Sequence, residues 1–283
     1  MSYSNQPQRR RRSSFSSGLK LRLLLGVGIV LFSLVSFWNK GQTNPVTGKV
    51  QRVDMTVKEE IMMGLQSAPQ MGTPTRDRTA QNRVVEIGER LVSRLNHLLL
   101  SERNVRNPFR FNFTLLDDRR TVNAFALPGG QVFLTEALYG ALGQGPEGDA
   151  RIAGVLGHEI GHVIERHSSE QMAKGNLIRG LVSAAGVAGG GYDSSRIASY
   201  VGNVVNMKYG RKDELESDRW GVELMVLCGY DPREMMKVMD VLEAAGGSST
   251  PEFMSSHPRP ANRKVYIEEL IKEQQLKHQQ LLQ

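Results

Sequence analysis

Residues 158–162 read His-Glu-Ile-Gly-His, and this pentapeptide constrains the chain more than any other stretch. On an α-helix, positions i and i+4 lie one above the other, so His158 and His162 can aim both imidazoles at a single Zn²⁺. Glu159, beside the first histidine, is in reach of a water in such a site and suits a general base for peptide hydrolysis. The flanks read as helix. Ile152, Val155, Leu156, Ile160 and Val163 form an apolar stripe, and Gly148-Asp149 offers an N-cap. Gly154, Gly157 and Gly161 weaken a helix, which points to close packing against a neighbouring element. The alternative is a plain buried helix whose histidines bond to carbonyls; with six His in the whole chain, this spacing beside a Glu favours the metal.

A catalytic zinc site needs a third protein ligand and keeps its fourth position open. A third His on the same turn, in the pattern H-E-x-x-H-x-x-G-x-x-H, is absent. Glu165 stands at the Gly position, Ser168 at the His position, and His167 misses by one residue, about 100° around a helix. A later helix offers carboxylates instead: in residues 211–218, Glu214 and Asp218 are four apart and share a face. One can bind the metal while the other holds a ligand His by its free ring nitrogen. The same acid-rich stretch also fits a solvated charge run.

Four motifs occur together and in order: Asn123-Ala124-Phe125-Ala126-Leu127-Pro128-Gly129-Gly130, then H-E-x-x-H, then E-x-E-S-D, then Ser256-His257-Pro258. In this the chain resembles metallopeptidase family forty-eight, over about residues 44–266. The resemblance implies an α+β, mainly α, zincin-like fold of the gluzincin type with a small antiparallel sheet. It implies one Zn²⁺ per chain, held by His158, His162 and Glu214, with Glu159 catalytic. Glu214 is preferred to Glu216 because the family takes the first Glu of E-x-x-x-D, and Asp218 is then expected beside the ligands rather than on the metal. Ser217 departs from the family's usual Ala but is also small. The several membrane spans of some members are missing, so the nearer likeness is to single-anchor or periplasmic members.

In such a site the zinc acidifies its water and polarises the scissile carbonyl, while Glu159 takes the proton and returns it to the leaving amine. The negative oxygen that develops benefits from a further donor, for which His257 and Arg263 are candidates, and Arg263 is expected with Asp218 just outside the metal ligands. His257 has a second candidate role, as a fourth ligand that keeps the enzyme latent. Phe109, Phe111, Phe113 and Leu115 alternate with other residues as in a half-buried strand, and residues 122–127 and 131–135 flank Pro128-Gly129-Gly130 as a hairpin. An exposed edge of that sheet would bind an extended polypeptide through its main chain, with Asn123, Gln131, Val132 and Phe133 as the expected substrate-binding residues.

Composition locates the charge. The net formal charge is +7, but Arg9, Arg10, Arg11, Arg12, Lys20 and Arg22 precede residue 23 with no acid among them, leaving 30 basic against 29 acidic residues. No basic face remains for nucleic acid. Residues 23–38 are mostly apolar and Leu19 and Leu21 extend the run, while Phe37-Trp38-Asn39-Lys40 makes a poor cleavage site and a good interfacial anchor. The expected organisation is a basic cytoplasmic tail (1–18), a transmembrane anchor or uncleaved signal (19–38) in contact with lipid, and a zinc metallopeptidase domain (39–283). The positive-inside rule puts that domain outside the cytoplasm, on the periplasmic side of the inner membrane. No Cys follows the run, which excludes a lipoprotein anchor, and the single Cys228 forms no internal disulfide.

Most of the rest reads as helix: residues 78–100 with Val84, Ile87, Leu91, Leu95 and Leu98 on one stripe, a start at Asp231-Pro232 after Gly229, and a charged amphipathic helix over 260–277. Residues 175–191, rich in Gly and Ala, read as a helical hairpin near the cleft, a candidate lid. The combined expectation is a membrane-anchored zinc endopeptidase acting on unfolded or damaged proteins. Its rivals are a non-catalytic tethered chaperone or scaffold with a structural metal, and a zinc hydrolase for a non-peptide bond.

Overall fold

In the computed structural model, residues 15–189, 208–246, 252–257 and 263–281 are described. The first element is the apolar helix α1 (Phe15–Trp38), followed by a short hairpin of β1 (Gly41–Thr43) and β2 (Val50–Arg52). Helix α2 (Val57–Ser67) starts at a capping box in which Thr56 and Glu59 satisfy each other's backbone N–H groups. Helix α3 (Arg78–Arg103) is capped by Asp77 and ends at Asn104 in the left-handed conformation. Its expected stripe of Val84, Ile87, Leu91, Leu95 and Leu98 is buried. The basic tail expected at residues 9–12 lies outside the described residues.

Three strands follow: β3 (Asn112–Leu116), β4 (Ala124–Leu127) and β5 (Gln131–Thr135), in the order β3-β5-β4. The β4–β5 pair is the expected antiparallel hairpin, but β3 joins β5 in parallel, so the sheet is mixed. The reason is the path of the chain: α3 delivers β3 to one side of β5, and the chain then crosses to the other side before turning at Pro128-Gly129-Gly130. Gly129 and Gly130 have φ of +84° and +116°, and a side chain at either would collide with the backbone of Ile61 or Arg110. All of β5 is buried, since Val132 and Leu134 join the main core while Phe133 packs with Leu116, Leu127 and Phe125 on the other face.

Helix α4 (Glu136–Leu142) leads to α5 (Gly145–Ile164), which runs through the middle of the core. It begins one turn earlier than the Gly148-Asp149 signal implied, because Pro146 serves in the first turn, where no N–H is needed. Helix α6 (His167–Gly189) follows at once. The chain is next described at Lys208 and continues as α7 (Arg211–Leu227), α8 (Glu234–Gly246), the short α9 (Glu252–Ser256) and α10 (Arg263–Leu281). Gly229, at φ +76°, closes α7. Helix α8 starts at Glu234, two residues beyond Pro232.

The three glycines of α5 do what their spacing foreshadowed, and the partner is chiefly α7. A Cβ at Gly157 would sit 3.0 Å from Gly221 Cα, and one at Gly161 would sit 2.8 Å from Ser217 Cα and 3.0 Å from Ser217 O. Gly154 faces the Met225 sulfur at 3.3 Å. Backbone thus meets backbone, which brings the carboxylates of α7 up to the histidines of α5. Replacing Gly161 by Ala is expected to lower stability by about 1–3 kcal/mol through overpacking. Chemical denaturation followed by helix circular dichroism checks it, and an unchanged midpoint would contradict the contact.

Candidate active site

His158 and His162 lie on the side of α5 turned toward α7, Glu159 turns toward Ala126 of β4, and each of the three is at most 2% exposed. Glu214 and Asp218, one turn apart on α7, are both 0% exposed and stand opposite. His257, at the end of α9, closes the group from a third direction, its N–H bonded to Phe253 O. His158, His162, Glu214 and His257 therefore bring four ligand atoms together from three helical segments.

The distances suit a small cation. His158 Nε2 lies 3.0 Å from His162 Nε2 and 3.6 Å from Glu214 Oε2, and His162 Nε2 lies 3.5 Å from Glu214 Oε1. His257 Nδ1 lies 3.0 Å from Glu214 Oε1 and 3.3 Å from His158 Nε2. Ligands about 2.0–2.1 Å from a tetrahedral ion are separated by roughly 3.3 Å, so the four donors already span such a cage. Both oxygens of Glu159 are buried without a hydrogen-bond partner among the described residues. A buried carboxylate beside an electron-rich donor cage fits a bound cation and the polar molecule it would hold.

Outer partners fix which ring nitrogen faces the cage. His158 Nδ1 donates to Asp218 Oδ1 at 2.9 Å, leaving Nε2 with a free lone pair. Arg263 holds Asp218 through Nε at 2.7 Å and Nη2 at 2.6 Å, and places Nη1 2.8 Å from Glu214 Oε2. The guanidinium thus supports two carboxylates from just outside the ligands, where it was expected beside Asp218, and is not free for its other candidate use as an oxyanion donor. The second histidine has an analogous support that the spacing rule had set aside. His167 Nδ1 lies 3.0 Å from His162 Nδ1, and His167 Nε2 lies 3.1 Å from Glu216. With Glu216 accepting from Nε2–H, Nδ1 is the acceptor, so His162 donates from Nδ1 and keeps Nε2 for the cage. Lys49 joins Glu216 and Glu165 at 2.7 and 2.8 Å, and the Tyr209 ring stacks on His162 with centroids 3.9 Å apart. Glu216 carried only its place in an acid-rich run, and Tyr209 had no sequence signal at all; His167 stood one residue off a ligand pattern because it serves a ligand instead.

Charge balance follows from burial and neighbours. Burial pushes the Glu159 carboxyl up, against the pull of His257 and His158. Burial alone would also raise Glu214, but the His257 charge and bonds with His162 and His257 hold it well below the usual carboxylate range. His162 is held well below its ordinary value, chiefly by burial. For His257 burial works downward, and the facing carboxylates Glu214 and Glu159 outweigh it and raise it. Glu216, despite partial burial, is pulled down to about 2 by bonds from His167 and Lys49.

The expected substrate-binding residues divide. Gln131, Val132 and Phe133 are on β5, the middle strand, where both sides of the backbone are already paired and the side chains are buried; no edge is available there. Gln131 Nε2 instead donates to Arg110 O at 3.3 Å, a sheet contact. Asn123 begins the hairpin, with Oδ1 buried and unpartnered among the described residues. The strand next to α5 is β4. Asn123 and Leu127 turn their carbonyls to β5, accepting from Thr135 and Gly130, so by alternation Ala124 and Ala126 direct their N–H and C=O groups outward. The Ala126 N–H lies close enough to Glu159 to favour its charged form.

Replacing His167 by Ala, or Glu216 by Gln, is expected to weaken divalent-cation binding about 10- to 100-fold. Competition against a chromophoric chelator measures this, and unchanged affinity in both variants would remove the support role.

Comparison with known proteins gives the same picture. Residues 81–271 match the model of "Peptidase family M48". The chain is 28% identical to the beta-barrel assembly-enhancing protease of Escherichia coli K12 over 255 residues, covering 81% of this chain and 47% of that protein. It is 31% identical to the mitochondrial metalloendopeptidase OMA1 of Arabidopsis thaliana over 146 residues, 52% of this chain and 29% of that one. It is 29% identical to the metalloprotease YcaL of E. coli K12 over 153 residues, 53% of this chain and 58% of that one. The chain thus spans about half the length of the first of these relatives. With its catalytic-type helix, its facing carboxylate helix and a family match over most of its length, the chain belongs to peptidase family M48.

Proposed function

We propose that this chain is a zinc-dependent endopeptidase, tethered by α1 to the inner membrane and acting on its periplasmic side on unfolded or damaged polypeptides. The observation that carries the reading is Glu159: a fully buried carboxylate without a hydrogen-bond partner among the described residues, beside a four-donor cage. His158, His162 and Glu214 would hold the ion. Zinc held there supplies Lewis acidity, polarising a carbonyl and acidifying water. Glu159, raised toward neutrality by burial, suits the transfer of a proton from the attacking water to the leaving amine. The backbone groups of Ala124 and Ala126 point away from β5 but are buried here; once the α9 segment, which bonds to Val122 O, withdraws, they would align an extended substrate as an added strand, a mode that binds main chain without demanding a sequence. Such tolerance fits quality control, and the names of the relatives, a beta-barrel assembly-enhancing protease and a metalloendopeptidase, support a protein substrate.

A scaffold with a structural metal has no use for a fully buried carboxylate at Glu159 beside the cage, so one substitution separates the two. Glu159→Gln is expected to lower cleavage of a denatured protein such as casein by at least about 100-fold while zinc content stays at one per chain. No cleavage by the unsubstituted, zinc-loaded protein would overturn the enzymatic reading, cleavage retained in the variant would remove Glu159 as the base, and loss of metal would place Glu159 among the ligands.

His257 favours the second of its two candidate roles. Its Nδ1 stands in the fourth corner of the cage, 3.0 Å from Glu214, and its Nε2 lies 3.5 Å from Glu159, which is where a substrate carbonyl and water need room. The arrangement is a closed, latent one that opens when the α9 segment withdraws. His257→Ala is then expected to raise basal cleavage and weaken zinc binding. A fall in kcat at unchanged zinc affinity would assign His257 to transition-state stabilisation instead.

A further inference from the structure

The Gly- and Ala-rich second half of α6 does not fold over the cleft as a lid; its described residues pack along α1. Lys40, just beyond the end of α1, pairs with Asp54 at 2.9 Å, and Asn176 of α6 donates to the same carboxylate. Seven residues back along α1, Ser33 meets Gly180: a Cβ there would run into Ser33 Oγ and lie 3.1 Å from Ser33 Cβ. The two helices are therefore antiparallel, and Gly26 on α1 and Ala184 on α6 are both buried. Small residues at such a seam let helix backbones approach closely inside a membrane.

The polar groups draw a boundary across this pair. Lys40, Arg52, Asp54, Asn176 and Arg179 cluster at one level, and Arg52 lies over the Trp38 ring at 4.3 Å, a grouping suited to a membrane–water interface. On the α1 side of the boundary, residues 18–38 form the candidate span, 21 residues long. On the same side, residues 180–189 of α6 carry no charged side chain. Ile178, at the boundary, is 59% exposed, an apolar side chain without protein cover.

We propose that residues 180–189 lie in the same bilayer as α1, with lipid acyl chain as their partner surface. This rests on reading α1 as a membrane anchor. The consequence is a fixed working height. His167, at the start of α6, touches His162, and Arg179 is twelve residues farther on, about 18 Å of helix. Two attachments, α1 and α6, hold the catalytic centre within that distance of the membrane face. Polypeptide emerging from the bilayer is then the substrate presented at the correct height.

The test uses the full chain with Cys228→Ser, carrying single cysteines labelled with bimane at Phe32, Lys174, Ile178 or Leu181, in phosphatidylcholine–phosphatidylglycerol vesicles. Nitroxide-bearing lipids are expected to quench the probes at Phe32 and Leu181 strongly and the probe at Ile178 in part, while aqueous iodide quenches only Lys174. Quenching at Phe32 with Leu181 behaving like Lys174 would overturn the insertion and leave the anchor standing. Iodide quenching at Phe32 would overturn both. A Ser33→Cys/Gly180→Cys pair gives an independent measure: oxidation in the vesicles should consume both thiols, and two thiols that stay free would refute the helix pairing.

Discussion

Everything catalytic in this fold depends on two helices touching without side chains between them. Gly157 and Gly161 of α5 meet Gly221 and Ser217 of α7 at backbone distance. The usual separation of packed helices is 8–10 Å, set by side chains at the contact. Removing those side chains lets His158 and His162 on one helix and Glu214 on the other close to 3.5–3.6 Å across the seam. The tolerance of Ser217 for the Ala usual in the family has the same origin, since its Cα lies against Gly161. A helix weakened by Gly154, Gly157 and Gly161 in its interior is stable here because α5 is enclosed by the core.

Such a site concentrates charge where burial opposes it. Glu159, Glu214 and Asp218 are each fully buried on α5 and α7, and a buried charge is tolerated only when it is paired and hydrogen-bonded. Arg263 provides for Asp218 and Glu214, and His257 faces Glu214 and Glu159. The two ligand histidines are each held from behind, one by Asp218 and Arg263, the other by His167, Glu216 and Lys49. Lys49 comes from the loop of the hairpin that follows α1, and Asn44 of that hairpin donates to Ile164 O at the end of α5. The segment nearest the anchor thus bears directly on the catalytic helix.

On the proposal that α1 and residues 180–189 share a bilayer, that coupling gives the membrane a mechanical part in the enzyme. Helix α6 leaves the site at His167 and reaches the level of Lys40 and Asp54 by Asn176, so one rigid element connects the back of His162 to the membrane boundary. In this reading the anchor positions the active centre relative to the bilayer as well as retaining the protein there.

The sequence by itself determined the local chemistry. The i, i+4 histidines with their adjacent Glu, the glycines that demanded a close neighbour, the hairpin turn at Gly129-Gly130, the α3 stripe and the apolar run ending at Trp38 are all short-range patterns, set by helical or strand periodicity and by backbone sterics. Glu214 and Asp218 were visible as a pair one turn apart, and the resemblance assigned their order. What the tertiary structure alone decided is every relation between segments far apart in the chain. It made β5 the middle strand, which took Gln131, Val132 and Phe133 out of reach of a substrate and left the backbone groups of Ala124 and Ala126 pointing away from β5. It turned Arg263 from a free donor into a clamp, made His167 a partner for His162, and laid α6 along α1. Periodicity records which face of an element is apolar, but not which other element covers it, and these roles are defined by the covering element.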